Sequence, residues 1–94
     1  RASRTEGNQY QVAMELQADC YAGVWAALNK ERMEPGDVEE GLRAAHQIGD
    51  DVLQRATQGV VVPESFTHGS AEQRMTWLKR GLATGDPEQC NTFR

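Results

Sequence analysis

The sequence predicts an all-α fold, a small helical bundle with one long central helix, and three observations carry that prediction. Between Val12 and Leu28 apolar residues fall on nearly every side of a helical wheel and show no strand-like alternation. Two pairs, Asp37 with Glu40 and Ser70 with Gln73, have the spacing of a capping box at a helix start. The β-branched run Val60-Val61-Val62 ends at Pro63 and has no partner run elsewhere, so it reads as extended coil rather than a strand.

Taken in order, Arg1 to Asn8 is rich in Arg, Ser, Thr and Gly and reads as a flexible leader, residues 1–8, ahead of a single helical domain over 9–94. The first helix runs from about Gln9 to Lys30 and is closed by the turn signal Glu34-Pro35-Gly36. Asp37 then caps a short helix with Val38, Leu42 and Ala45 on its apolar stripe. Gly49 interrupts the pattern, and Asp50-Asp51 open a third helical piece through Val52, Leu53 and Ala56 that ends near Gly59. Ser70 opens a helix carrying Met75, Trp77, Leu78 and Leu82, which stops at Gly85. Asp86-Pro87 is an N-cap followed by proline at the first helical position, and the last turn carries Cys90. No internal repeat, low-complexity tract or dividing linker interrupts the chain.

A chain of 94 residues supports one domain with a modest core. Its net charge of −4 and the lack of any Lys/Arg cluster argue against a nucleic-acid partner, because phosphate binding needs grouped cations. No run of about eighteen apolar residues marks a membrane span, and no signal-peptide pattern is present. Two cysteines, Cys20 and Cys90, permit one bridge or two buried thiols, and their spacing does not choose between these.

The long helix poses a chemical problem. A helix apolar all round is normally buried, which would bury Glu15 and Asp19 with it. Buried carboxylates need a cation, a donor or a metal. Their flank is completed by Ala18, Ala22 and Ala26, small residues that let a neighbour come close to the backbone. The spacing suits a metal site in which Glu15 reaches the ion while Asp19, one turn on, accepts the outer N–H of a ligating imidazole and fixes its tautomer. The competing reading is a solvated or structurally paired acidic face. Trp25 and Trp77 sit at helical spacing among apolar residues and read as core anchors. His46 lies near a helix C-terminus, where a cation is favourable for structural reasons alone. His68 lies in the loop Ser65-Phe66-Thr67-His68-Gly69-Ser70 and is either bonded to backbone or a functional donor.

The run Glu15-Leu16-Gln17-Ala18-Asp19-Cys20-Tyr21-Ala22-Gly23-Val24-Trp25-Ala26 resembles the putative neutral zinc metallopeptidase family of bacteria in its C-terminal half. So do Gly36-Asp37-Val38-Glu39-Glu40-Gly41-Leu42, Ile48 to Gln54, Val61 to Ser70, Gln73-Arg74, Trp77, and Gly85-Asp86 through Phe93, in the same order. The resemblance covers residues 12–94. It implies the C-terminal subdomain of a zincin-like metallopeptidase, with Glu15 as the third zinc ligand, Asp19 behind a ligand histidine, and His68 as the candidate catalytic donor to a developing oxyanion. That family carries a His-Glu-x-x-His helix upstream, whereas this chain contains only His46 and His68. The expectation is therefore a fragment that is inactive alone and does not retain Zn2+, which the intact parent would bind with three protein ligands and a water. Its expected partners are the N-terminal catalytic half of that parent, a peptide substrate, and a second copy of the chain through the Ala18/Ala22/Ala26 stripe. The resemblance also implies an extracytoplasmic or membrane-anchored parent, which favours the Cys20–Cys90 bridge. The rival expectation is a non-catalytic helical module that binds a protein through the same stripe.

Overall fold

In the computed structural model, which describes residues 4–93, four α-helices are joined by short turns and no strand occurs among the described residues. Helix α1 spans Arg4–Leu28, α2 Asp37–Gln47, α3 Asp50–Gln58 and α4 Ala71–Thr84. Single 3-10 turns at Lys30–Arg32, Pro63–Ser65 and Pro87–Gln89 occupy the connections. The all-α prediction holds, and Val60-Val61-Val62 is irregular coil as its sequence requires.

Helix α1 begins at Arg4 rather than Gln9, so Thr5 to Asn8 belong to the helix and not to a leader; Arg1 to Ser3 lie outside the described residues. Local propensity is poor there, with Thr5, Gly7 and Asn8 in the first turns. A tertiary contact overrides it: the Asn8 side-chain amide donates to the Glu64 carbonyl at 3.2 Å. The helix ends at Leu28, short of Lys30.

Of the two capping boxes, one forms. Ser70 Oγ accepts from the Gln73 N–H at 3.1 Å, and Gln73 Oε1 accepts from the Ser70 N–H at 3.0 Å. At α2 the cap is Gly36, in the left-handed region, and no side chain caps the helix. Asp37 falls one position later, and its carboxylate instead accepts from the Glu34 N–H at 2.8 Å, closing the turn before the helix. At the C-terminal end the Asp86-Pro87 signal is realised, with Asp86 Oδ1 accepting from the Glu88 N–H at 2.9 Å.

The core lies where α4 crosses α1. Cys20, Val24 and Cys90 are buried there with Trp77 packed against them, and Cys20 and Cys90 form a disulfide. The backbones touch at two glycines. A Cβ on Gly23 would collide with the Leu78 carbonyl oxygen and stand 2.7 Å from the Leu82 nitrogen. A Cβ on Gly81 would collide with the Cys20 carbonyl oxygen and stand 2.8 Å from the Val24 nitrogen. The close approach anticipated at Ala18, Ala22 and Ala26 therefore occurs at Gly23 instead, and Ala18 and Ala22 are exposed.

Helix α1 is not enclosed. Tyr10, Met14, Tyr21, Trp25 and Leu28 fall on one side of the helix and are exposed. Trp25, read from sequence as a core anchor, is 56% exposed, whereas Trp77 does anchor the core. Apolar residues on every side of a helix announce that each side is suited to burial; in this chain α4 occupies only one of them.

Candidate metal and catalytic site

Glu15 and Asp19 lie one turn apart on the flank of α1 that borders α4 and the loop between Phe66 and Ser70. Asp19 is held by Arg74 of α4 in a forked pair, Nε to Oδ2 at 2.9 Å and Nη2 to Oδ1 at 2.8 Å. Both side chains are only 13% exposed. The hydrogen bond to Asp19 raises the Arg74 guanidinium above its ordinary pKa. Burial opposes that rise, and the charges of Asp19, Glu15 and Asp50 reinforce it, so Arg74 is a fixed cation. Each Asp19 oxygen accepts one bond from Arg74 and retains further acceptor capacity.

Glu15 is less enclosed. Its side chain is 33% exposed, its Oε1 accepts from Gln11 Nε2 at 3.3 Å, and His68 Nδ1 stands 3.7 Å away. The structure thus brings three sequence-predicted residues to one place: Glu15 and Asp19 on the helix and His68 from the loop beside them. His46 is elsewhere, exposed in the last turn of α2.

The loop carrying His68 is tied down by the start of α3. One oxygen of Asp50, Oδ2, accepts three successive backbone N–H groups: Thr67 at 2.9 Å, His68 at 2.7 Å and Gly69 at 2.8 Å. The Asp50 N–H returns a bond to the Gly69 carbonyl at 2.8 Å, and Asp51 Oδ1 accepts from the Ala71 N–H at 2.8 Å. Gly69 has φ +97°, a conformation that suits glycine, and its Cα side abuts Leu16 and Val12 of α1. Val12 and Leu16 flank Glu15 and also line a groove of 610 Å³ with Phe66, Ser70 and Gln73.

Sequence reasoning missed two residues. Arg74 is the cation that Asp19 requires. Its signal was a lone cation at i+3 from Ala71 and i−4 from Leu78, on the stripe of α4 that meets α1. Asp50 was read as a helix opener, yet its carboxylate serves the loop rather than its own helix.

The donor chemistry suits zinc in part. Glu15 offers a one-third-exposed carboxylate, an oxygen donor of a kind zinc accepts, with the His68 imidazole beside it. Among the described residues no group of three or more His, Cys, Asp or Glu converges on a common point. No described helix is long and apolar enough to cross a membrane.

Known proteins are similar to this chain in sequence. The uncharacterized protein YpfJ of Escherichia coli (strain K12) is 56% identical over 94 residues, covering 98% of this chain and 33% of the relative. The uncharacterized protein Rv2575 of Mycobacterium tuberculosis (strain ATCC 25618 / H37Rv) is 45% identical over 94 residues, covering 87% of this chain and 32% of the relative. The chain thus spans about a third of the length of the curated relatives it matches. No solved structure matches it. The family profile described as "putative neutral zinc metallopeptidase" matches residues 1–93, a span that includes Glu15, Asp19, Arg74, the loop of His68 and both cysteines, and the chain belongs to that family.

Proposed function

We propose that this chain is the C-terminal part of a zinc-dependent peptidase and that Glu15 is the protein's third zinc ligand. The observation that carries this reading is the contrast between the two acids: Asp19 is paired with Arg74 and largely buried, while the Glu15 carboxylate is one-third exposed beside His68. Zinc, when bound, would activate water for attack and polarise the peptide carbonyl. The remaining ligands and the general base come from a segment outside this chain, on a His-Glu-x-x-His helix that meets the open side of Glu15. Asp19 orients one incoming imidazole through its remaining acceptor capacity while the forked pair with Arg74 holds the carboxylate in place. His68 donates to the oxygen that becomes negative as the carbonyl is attacked. The chain without that segment neither holds zinc nor hydrolyses peptides.

The buried Cys20–Cys90 disulfide supports an extracytoplasmic location, since such bonds persist in oxidising compartments. In the full-length protein, Glu15→Gln abolishes stoichiometric zinc and hydrolysis of fluorescein-labelled casein, as read by metal analysis and fluorescence release. His68→Ala retains zinc and lowers turnover. Zinc retained at full stoichiometry in Glu15→Gln overturns the ligand assignment; zinc lost in His68→Ala reassigns His68.

A second reading rests on the exposure of Ala18 and Ala22: a non-catalytic helical module that binds a protein partner, a second copy of the chain being the partner tested first, through that face. Light scattering that returns a monomer at every concentration removes it, and an upstream coding sequence without His-Glu-x-x-His favours it.

A further inference from the structure

From the three bonds that converge on one carboxylate oxygen, we infer that Asp50 is the positioning residue of His68: it fixes the Thr67-His68-Gly69 backbone so that the imidazole stays beside Glu15. The inference rests on the proposed role of His68 for its catalytic consequence, but the positioning itself is separately measurable.

Asp50 is 8% exposed, and burial of a carboxylate at that level requires compensation. Bonds from a carboxylate to backbone N–H groups are charge-assisted and stronger than neutral ones. Three consecutive amides aimed at one atom fix the peptide planes on both sides of the His68 Cα, leaving the side chain little freedom beyond its own two torsions. The loop is also gripped from behind. The Gly69 carbonyl accepts from the Asp50 N–H, and Gly49 lies so close to Ala71 that a Cβ there would overlap the Ala71 backbone. On its other side Gly69 rests against Leu16 and Val12, the residues that flank Glu15. The His68 backbone is consequently referenced to α1 through the Leu16 and Val12 side chains, and from that position the ring stands 3.7 Å from Glu15. A donor to a transition-state charge is effective only when its position is set beforehand.

The test uses the full-length protein. In Asp50→Asn the carboxylate charge is lost, and exchange of the Thr67, His68 and Gly69 amides accelerates about tenfold or more while α4 amides keep their protection. Casein turnover falls by about 10–100-fold, the range typical of groups that orient functional residues, with KM and zinc content unchanged. The double variant Asp50→Asn/His68→Ala is no slower than His68→Ala alone, because Asp50 acts only through His68. Loop amides that exchange at the unmutated rate overturn the inference, as does an additive loss in the double variant. If His68→Ala or the unmutated protein shows no distinct casein turnover, the reading of His68 falls, and amide exchange alone decides whether Asp50 holds the loop. Should Asp50→Asn fail to fold, Asp50→Ser takes its place with the same expected and overturning results.

Discussion

Asp19 and Arg74 bind each other through two hydrogen bonds where water reaches little of either side chain. A pair of this kind is weak evidence of net stabilisation, but removing one member leaves the other charge stranded. Arg74→Met is therefore expected to destabilise the fold by about 3 kcal/mol, read as a lower denaturant midpoint at unchanged slope. Asp19→Leu combined with Arg74→Met recovers most of that loss. The need for a partner to Asp19 was legible in the sequence, because an acid among apolar neighbours must be compensated. The identity of the partner was not: 55 positions separate the two residues, and no periodicity connects them. Asp50 was obscured differently. An acid at a helix start has a sufficient local explanation, which hides its tie to a loop 17 to 19 positions further along the chain.

At the scale of elements, the crossing of α1 and α4 is set by what is missing from Gly23 and Gly81. Alanine in place of an exposed mid-helix glycine stabilises a helix by about 1 kcal/mol. Gly41 in α2 meets that description, with nothing within 4 Å of an added Cβ. Gly81→Ala should act in the opposite sense, costing about 3 kcal/mol, because its methyl group meets backbone that cannot rotate aside. Thermal midpoints of the two variants, one raised and one lowered by the same chemical change, check the crossing. Ser70 with Gln73 and Asp86 with Pro87 could be read directly, since each is a short-range device complete within four residues. The Asp37 pair failed because Gly36, one position earlier, took the cap; capping signals specify a helix start only to within about a residue.

Across the whole molecule, the Cys20–Cys90 bond joins the last turn to the middle of α1 with a separation of 70 residues. Gln17 Nε2 donates to the Cys90 carbonyl at 3.0 Å, and the Thr92 hydroxyl donates to the Ala13 carbonyl, so the C-terminal segment runs along the helix that carries Glu15. Closing a loop of that size contributes about 4 kcal/mol in the chain-entropy description. Denaturant unfolding with and without reductant should show an unfolding free energy lower by an amount of that order in the reduced protein. The cysteine spacing alone did not establish the bridge, and the return of the tail to α1 resolves it. The helical class was legible because amphipathic pattern and caps are local. The degree of enclosure was not, because a sequence states which faces suit burial and not which are occupied. Trp25 makes that distinction observable by light. With its indole half in water it emits at long wavelength, whereas Trp77, beside the disulfide and with the Arg80 guanidinium 5.2 Å from its ring centre, emits from a drier setting. In a Trp77→Phe background the remaining colour reports one surface alone, and any body that settles on that face of α1 shifts it to the blue.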